Sequence, residues 1–372
     1  MQTFKNIWTL TIKELRSLFG DKILFLMIGF VFSVTIYTVA EGINTDVRNA
    51  PVGIIDLDRT ALTRQIRDSL QQPYFLPPVD VKREDVDELM DKSKLIFVLE
   101  FPPEFERDVL AGRKPQVQLL IDATTMTQAG IGQAYILQIF NQEVSNFLKQ
   151  ADPPLLVKPV LNMIFNPNGD SYWYTPVMEV CNMIALLAIG LSGAAVIRER
   201  ERGTIEHLLV MPVNTTEIVI SKILANSLVI LCASMLSMIF VVQYLLGIPI
   251  NGSLLLFGSG VVVYLFSISS LGIMLSTMAP SMPQFALLML PVLVVSLLLS
   301  GSIAPRSNMP EAAQMISEYW PTTQFVSFTQ NVLFRNAGLD IVWPELLVMT
   351  GIGVVFLIFA LVRFKAMLEK LG

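Results

Sequence analysis

The sequence predicts an α-helical polytopic membrane protein with six transmembrane helices and an α/β domain inserted after the first of them. Three observations carry this. The chain of 372 residues is 53% hydrophobic and only 15% charged, with a mean hydropathy of +0.59, which is not the composition of a soluble protein. Charges are absent from Ile23 to Ala40, Val180 to Ile197 and Leu346 to Val362, and from the whole of Ile223 to Pro305. Between the first two of these runs lies a long charged stretch, 41–172, with the alternating pattern of a folded domain.

A bilayer core takes about 20 apolar residues per helix, so Ile223 to Pro305 has room for three passes. The turn-rich segments GIPINGS (247–253) and APSMPQ (279–284) divide it. The predicted spans are therefore 23–40, 173–197, 222–246, 254–278, 284–303 and 345–362. The first is preceded by 22 residues and is longer than the apolar region of a secretory signal, which marks it as an uncleaved anchor.

The segment 1–22 interleaves Phe4, Ile7, Trp8, Leu15, Leu18 and Phe19 with Lys5, Lys13, Arg16 and Lys22, as suits an amphipathic helix in the headgroup layer. Lys and Arg flanking the spans sort eleven to two in favour of the side holding both termini and the loop 198–221. By the positive-inside rule that side is cytoplasmic. The tail 363–372 is cytoplasmic too, and 41–172 is external. Within it PVGIIDLD (51–58), KLIFVLEF (94–101) and QVQLLIDA (116–123) read as strands. TALTRQIRDSLQQ (60–72), REDVDELMDKS (83–93) and the segment around FERDVL read as helices, with Thr60 and Gly112 as boundary residues. The stretch 127–150 has helical spacing, and 157–168 reads as a strand returning to the membrane. The external loop 304–344 carries two amphipathic segments, MPEAAQMISEYW and TTQFVSFTQNVLFRNAG, predicted as short helices resting in the outer interface with Trp320 and Trp343 as anchors.

Several chemistries are excluded or unsupported. No G-x-x-x-x-G-K-[ST] phosphate loop occurs, so the chain does not bind ATP by that route. The lone His207 cannot form a zinc site without arranged partners, and Cys181 and Cys232 fall inside apolar runs as packing residues. No nucleic-acid-binding pattern is present. Ionisable groups within the spans are almost confined to Glu179, beside the amides Asn182, Asn226 and Gln243, which disfavours an ion-coupled secondary transporter. A membrane-anchored receptor with an extracytoplasmic ligand-binding domain would need a cytoplasmic output domain that the short cytoplasmic segments do not supply.

The loop AVIRERERGTIEHLLVMPVN is the exception to the apolar pattern. Gly203 can break the helix leaving the membrane, Thr204 can cap a new one, and Glu206 sits in its first turn. Ile205, Leu208 and Leu209 then share a face, and Pro212 stops the helix. Asn214 and Glu217 form a capping-box pattern for the next span. On the residues alone, a short amphipathic handle and an ordinary charged loop remain equal alternatives.

The segment ERERGTIEHLLVMPV resembles the E-x-E-x-G-T-x-E-x-L-L-x-x-P element of ABC-2 type transporter permeases, with Glu199, Glu201, Gly203, Thr204, Glu206, Leu208, Leu209 and Pro212 on its fixed positions. The likeness extends to KNIWTLTIKELRSLFGDK, VGIIDLDRTALTRQIRDSL, FVLEFPPEFERDVLAGRKPQVQLLIDAT and NMPEAAQMISEYWPTTQFVSFTQNVLFRNAG. Within the family it is most similar to the YhhJ-like, drug-efflux-type group with a large periplasmic domain. It departs from that group in having no basic residue next to TQN at 329–331. The resemblance implies the ABC-2 exporter arrangement in a bacterial inner membrane. It also implies a coupling helix at 203–212, Ile205 included, received by a separate ABC ATPase subunit that carries the ATP and magnesium. A second permease chain, identical or not, is a further implied partner, and a periplasmic adaptor protein is another. No cofactor is expected in this chain.

Overall fold

The structure, a computed structural model, describes residues 2–42, 49–92, 94–122, 126–148, 171–203, 213–304 and 306–369. The expected returning strand at 157–168 lies outside the described residues. The chain divides into two compact units, one made of Met1–Ile43 with Met163–Gly372 and the other of Asn44–Asn162.

In the first unit, α1 (Gln2–Gly20) ends one residue before Asp21, whose carboxylate caps α2 by accepting from the Leu24 amide at 3.1 Å. The amphipathic N-terminal segment is thus a separate helix, set off from the first span by a side-chain cap. Six helices among the described residues are long and apolar enough to cross a membrane. They are α2 (Lys22–Gly42), α7 (Ser171–Glu201), α8 (Thr215–Leu245), α9 (Leu254–Met278), α10 (Met282–Leu299) and α13 (Leu339–Glu369). The spans α2 and α8 each contain a π-helical stretch, Val31–Thr35 and Ser237–Leu245. The helices α7, α8 and α13 run past the apolar windows of the sequence, because a helix continues through charged residues once it has left the hydrocarbon. The end of α8 at Thr215 therefore lies seven residues before the predicted start at 222.

The centre of this unit is α9, which packs on α7, α8, α13 and the helix α12 (Pro321–Thr329). Glycines set the closest approaches. A Cβ on Gly272 would lie 2.6 Å from the Ile189 carbonyl oxygen of α7, and one on Gly353 of α13 would lie 3.0 Å from the Ser267 Cα of α9. Backbone-to-backbone packing of this kind is how apolar helices associate where lipid is as apolar as leucine.

The segment after α11 (Glu311–Glu318) is more buried in the protein than its sequence pattern suggests. The helix α12 (Pro321–Thr329), continued by a π turn at Gln330–Phe334, buries Pro321, Thr322, Thr323, Phe325, Val326, Phe328 and Thr329. Phe325 stacks on Tyr264 of α9 with ring centroids 4.2 Å apart, and the Tyr264 and Thr322 hydroxyls are 3.0 Å apart. Trp320 Nε1 donates to the Ser296 hydroxyl of α10 at 2.8 Å. The physical reason for this burial is the aromatic packing of Phe325 and Phe328 against α9.

The second unit is a four-stranded sheet in the order β2-β1-β3-β4, formed by β1 (Val52–Asp56), β2 (Val79–Asp80), β3 (Phe97–Phe101) and β4 (Gln118–Ile121). β1 is parallel to β2 and β3, and β4 is antiparallel to β3. Strand alternation sends Ile54, Phe97, Leu99 and Phe101 to one face, where they meet α3 (Ala61–Ser69), α5 (Phe105–Leu110) and α6 (Met126–Phe147) through Leu62, Ile66, Phe105 and Ile136. Ile55 and Val98 go to the other face, under Val86 of α4 (Val86–Asp91). The two-residue exposed strand β2 is not visible in the sequence pattern.

Candidate functional site

The charged run at the end of α7 is where the sequence places the candidate site. α7 continues to Glu201 and stops because Gly203 takes a left-handed conformation, φ 67°, with its amide on the Arg200 carbonyl at 3.1 Å. This is the usual glycine stop of a helix C-terminus. Thr204, Ile205, Glu206, Leu208, Leu209 and Pro212 lie outside the described residues, as does His207. The chain is described again from Val213, and α8 starts in a capping box in which the Glu217 carboxylate accepts from the Asn214 amide at 3.1 Å. The same carboxylate oxygen accepts from Asn6 Nδ2 of α1 at 3.1 Å.

Each charged side chain from Arg198 to Glu201 reaches a different element. Arg198 faces Asp21 at the α1–α2 junction, at 3.9 Å. Glu199 bridges two lysines, 3.0 Å from Lys13 Nζ of α1 and 2.8 Å from Lys222 Nζ of α8. Arg200 donates to the Ala279 carbonyl just after α9 and approaches the Met367 sulfur of α13 at 3.5 Å. Glu201 accepts from the Met282 amide at 2.8 Å, so it satisfies one of the free N–H groups at the start of α10. The run therefore clasps the same-side ends of α1, α2, α8, α9, α10 and α13.

Within the clasp, Lys222 is the most buried charge, with a side chain only 1% exposed, and it also pairs with Glu14 of α1 at 3.1 Å. Lys13 lies 3.4 Å from Glu14, which closes a ring of alternating charges drawn from three helices. Burial pulls the Lys13 pKa down, but the Glu199 and Glu14 carboxylates overcome it and hold the ammonium above its ordinary value. In this ring the buried charges Lys222, Glu199 and Glu14 each have two opposite neighbours, which offsets the cost of their desolvation.

Of the residues singled out from sequence, the structure thus brings Glu199 into the buried ring, puts Glu201 on the start of α10, and makes Gly203 the helix stop. Lys13, Glu14, Asn6 and Lys222 were not singled out. One signal for Lys222 was available: it is the charge standing immediately before the 83-residue uncharged run.

A family model described as ABC-2 family transporter protein matches residues 22–362. The chain belongs to the ABC-2 transporter family. The permease is 44% identical over 369 residues to the inner membrane transport permease YhhJ of Escherichia coli (strain K12), covering 98% of both chains. It is 26% identical over 347 residues to the probable multidrug ABC transporter permease YbhR of the same organism, covering 92% of this chain and 94% of the relative. It is 25% identical over 369 residues to the corresponding YbhS protein, covering 97% and 95%. With six apolar helices among its described residues, the permease is a multi-pass membrane protein.

Proposed function

We propose that this chain is the membrane subunit of an ATP-driven exporter of the bacterial inner membrane. It moves an apolar or amphipathic molecule, drug-like or lipid-like, out of the cytoplasm or inner leaflet. Two permease chains pair around the pathway, and two separate ATPase subunits, which hold ATP and magnesium, grip the 203–212 segment of each. Both termini face the cytoplasm. The Asn44–Asn162 unit faces the periplasm, where it receives cargo or docks an adaptor protein.

The observation that carries this reading is the clasp. The side chains directly before the segment 204–212 tie together the ends of the other spans, and Asn214 after it starts α8 in a capping box. A displacement imposed on the segment is passed to α1, α8, α9 and α10 at once, because packed helices move as bodies and not by continuous deformation. The names of YhhJ and YbhR, a transport permease and a probable multidrug permease, agree with a transport role.

The test is transport and ATP hydrolysis by the reconstituted complex carrying Glu201→Lys or Leu208→Asp. Both variants are expected to assemble with the ATPase and to lose most ATP-driven transport. Normal transport by either assembled variant would remove the coupling assignment.

A further inference from the structure

A cleft of about 640 Å³ lies between α1, α2 and α8, a volume within the range of small-molecule sites. It arises from the break at Asp21. The helix α1 is fastened to α8 by the Lys222–Glu14 and Asn6–Glu217 contacts, whereas the chain starts afresh at α2, and the wedge between α2 and α8 stays unfilled. Leu15 and Phe19 of α1, Phe25 and Phe32 of α2, and Leu228 and Phe240 of α8 line it. From Lys22 at the start of α2 to Ser33 in the lining is about 16 Å at 1.5 Å per residue. That is the depth of one leaflet of a hydrocarbon core about 30 Å thick.

The π-helical stretches of both spans meet at the inner end, where Phe32 and Ser33 come from Val31–Thr35 and Ser237 and Phe240 from Ser237–Leu245. Such stretches inside α-helices recur at functional sites. The lining there is almost wholly apolar. The Ser33 hydroxyl is spent on the Gly29 carbonyl at 2.6 Å, and the Ser237 hydroxyl is buried without a hydrogen-bond partner.

The entrance is basic. Lys22 shares a helical face with Phe25 and Gly29, three and seven residues on, and Arg16 stands three residues before Phe19 on α1. Both cations are exposed and make no ion pair among the described residues. The neighbouring acids are already engaged: Asp21 caps Leu24 and faces Arg198, and Glu14 is held by Lys222 and Lys13. An apolar slot one leaflet deep, entered past two unpaired cations, matches a molecule with an anionic head and a hydrocarbon tail.

We infer that the cleft takes one acyl chain of an anionic phospholipid from the leaflet bordering α1, with the lipid phosphate paired to Arg16 and Lys22. The export reading enters only in making that leaflet the cytoplasmic one.

Native mass spectrometry of the detergent-purified full-length chain tests this. Titration with dioleoyl phosphatidylglycerol, and with the zwitterionic dioleoyl phosphatidylcholine for comparison, reads the affinity of the first bound lipid and the oligomeric state together. The wild type should prefer the anionic lipid. The double variant R16Q/K22Q should weaken phosphatidylglycerol on the order of tenfold and leave phosphatidylcholine unchanged. A Cβ on Gly29 meets nothing within 4 Å, so G29L fills the cleft without a clash and should weaken both lipids while keeping a cooperative melt. S237A should change neither affinity, because an acyl chain makes no hydrogen bond. No preference for the anionic lipid in the wild type, wild-type affinity in G29L, or equal weakening of both lipids in R16Q/K22Q would overturn the inference. So would weaker binding by S237A, which assigns the cleft to a molecule with a polar inner end such as cargo, or a change of oligomeric state in G29L, which assigns it to a second copy. Binding is read on the permease without its ATPase. Absence of ATP-driven transport therefore removes the export reading and leaves the lipid site standing, whereas loss of the lipid preference removes the site alone.

Discussion

The ammonium of Lys222 lies between carboxylates from two other helices, 2.8 Å from Glu199 and 3.1 Å from Glu14, whose side chains are themselves only 13% and 15% exposed. Removing the cation leaves these two part-buried carboxylates with only the half-exposed Lys13 as a shared partner. Lys222→Met is therefore expected to destabilise the membrane unit by about 3–5 kcal/mol, the cost of breaking a buried pair from one side. Thermal melting of the detergent-purified protein reads this directly. Adding Glu14→Gln and Glu199→Gln should recover a large part of the loss, because neutralising the whole cluster removes the stranded charges. If the triple variant melts no higher than the single one, the ring is not what Lys222 stabilises. The same cluster shows what the sequence did and did not convey. Positive charges at span ends were legible as topology signals, but their direction was not, because inward pairing depends on Glu14 and Glu199, 185 positions apart, meeting at one place.

Helix contacts make a different kind of prediction, since backbone shape matters more there than charge. Gly272 of α9 has no room for a Cβ, which would lie 2.6 Å from the Ile189 carbonyl oxygen and 2.9 Å from its Cα. Gly272→Ala must push α7 and α9 apart and should cost about 1–3 kcal/mol as overpacking. Gly351 of α13 meets nothing within 4 Å, so Gly351→Ala should be neutral or stabilise slightly through helix propensity. Equal melting points for the two variants would contradict the close α7–α9 crossing. The helix α12 is held by side chains instead, and Phe325→Ala should cost about 3–5 kcal/mol by emptying the space against Tyr264 and Phe328. This element is also the one whose burial the sequence pattern did not convey. Trp320 to Phe334 contains no Asp, Glu, Lys or Arg, a stretch too short to span a bilayer and long enough to enter the protein core. The uncharged run was the informative signal, and the Trp-rich flanks, read as interfacial anchors, hid it.

At the scale of the whole molecule, the six apolar helices were legible because hydrocarbon imposes a length and a composition that few other environments require. The inserted unit was legible for a separate reason, the short apolar runs Val52 to Asp56 and Phe97 to Phe101, buried strands set between helical segments. What remained hidden, β2 and the final strand order, depends on pairing between distant residues. The Asn44–Asn162 unit carries its own core on both faces of its sheet. Phe75, Phe97, Phe101 and Phe105 are at most 1% exposed on one side, and Ile55, Val86 and Val98 are buried on the other. A sheet covered on both faces contains the usual requirement for independent folding, a closed hydrophobic core of its own. A fragment spanning residues 44–162 is thus expected to be soluble and to unfold in one cooperative transition, measured by circular dichroism and calorimetry. The intact protein in detergent should show that transition at nearly the same temperature, together with a separate one for the membrane unit. Phe97→Ala should lower the fragment transition in both settings and leave the other in place. A fragment without cooperative unfolding, or a single merged transition shifted by Phe97→Ala, would mean that the inserted unit depends on the membrane helices for its stability.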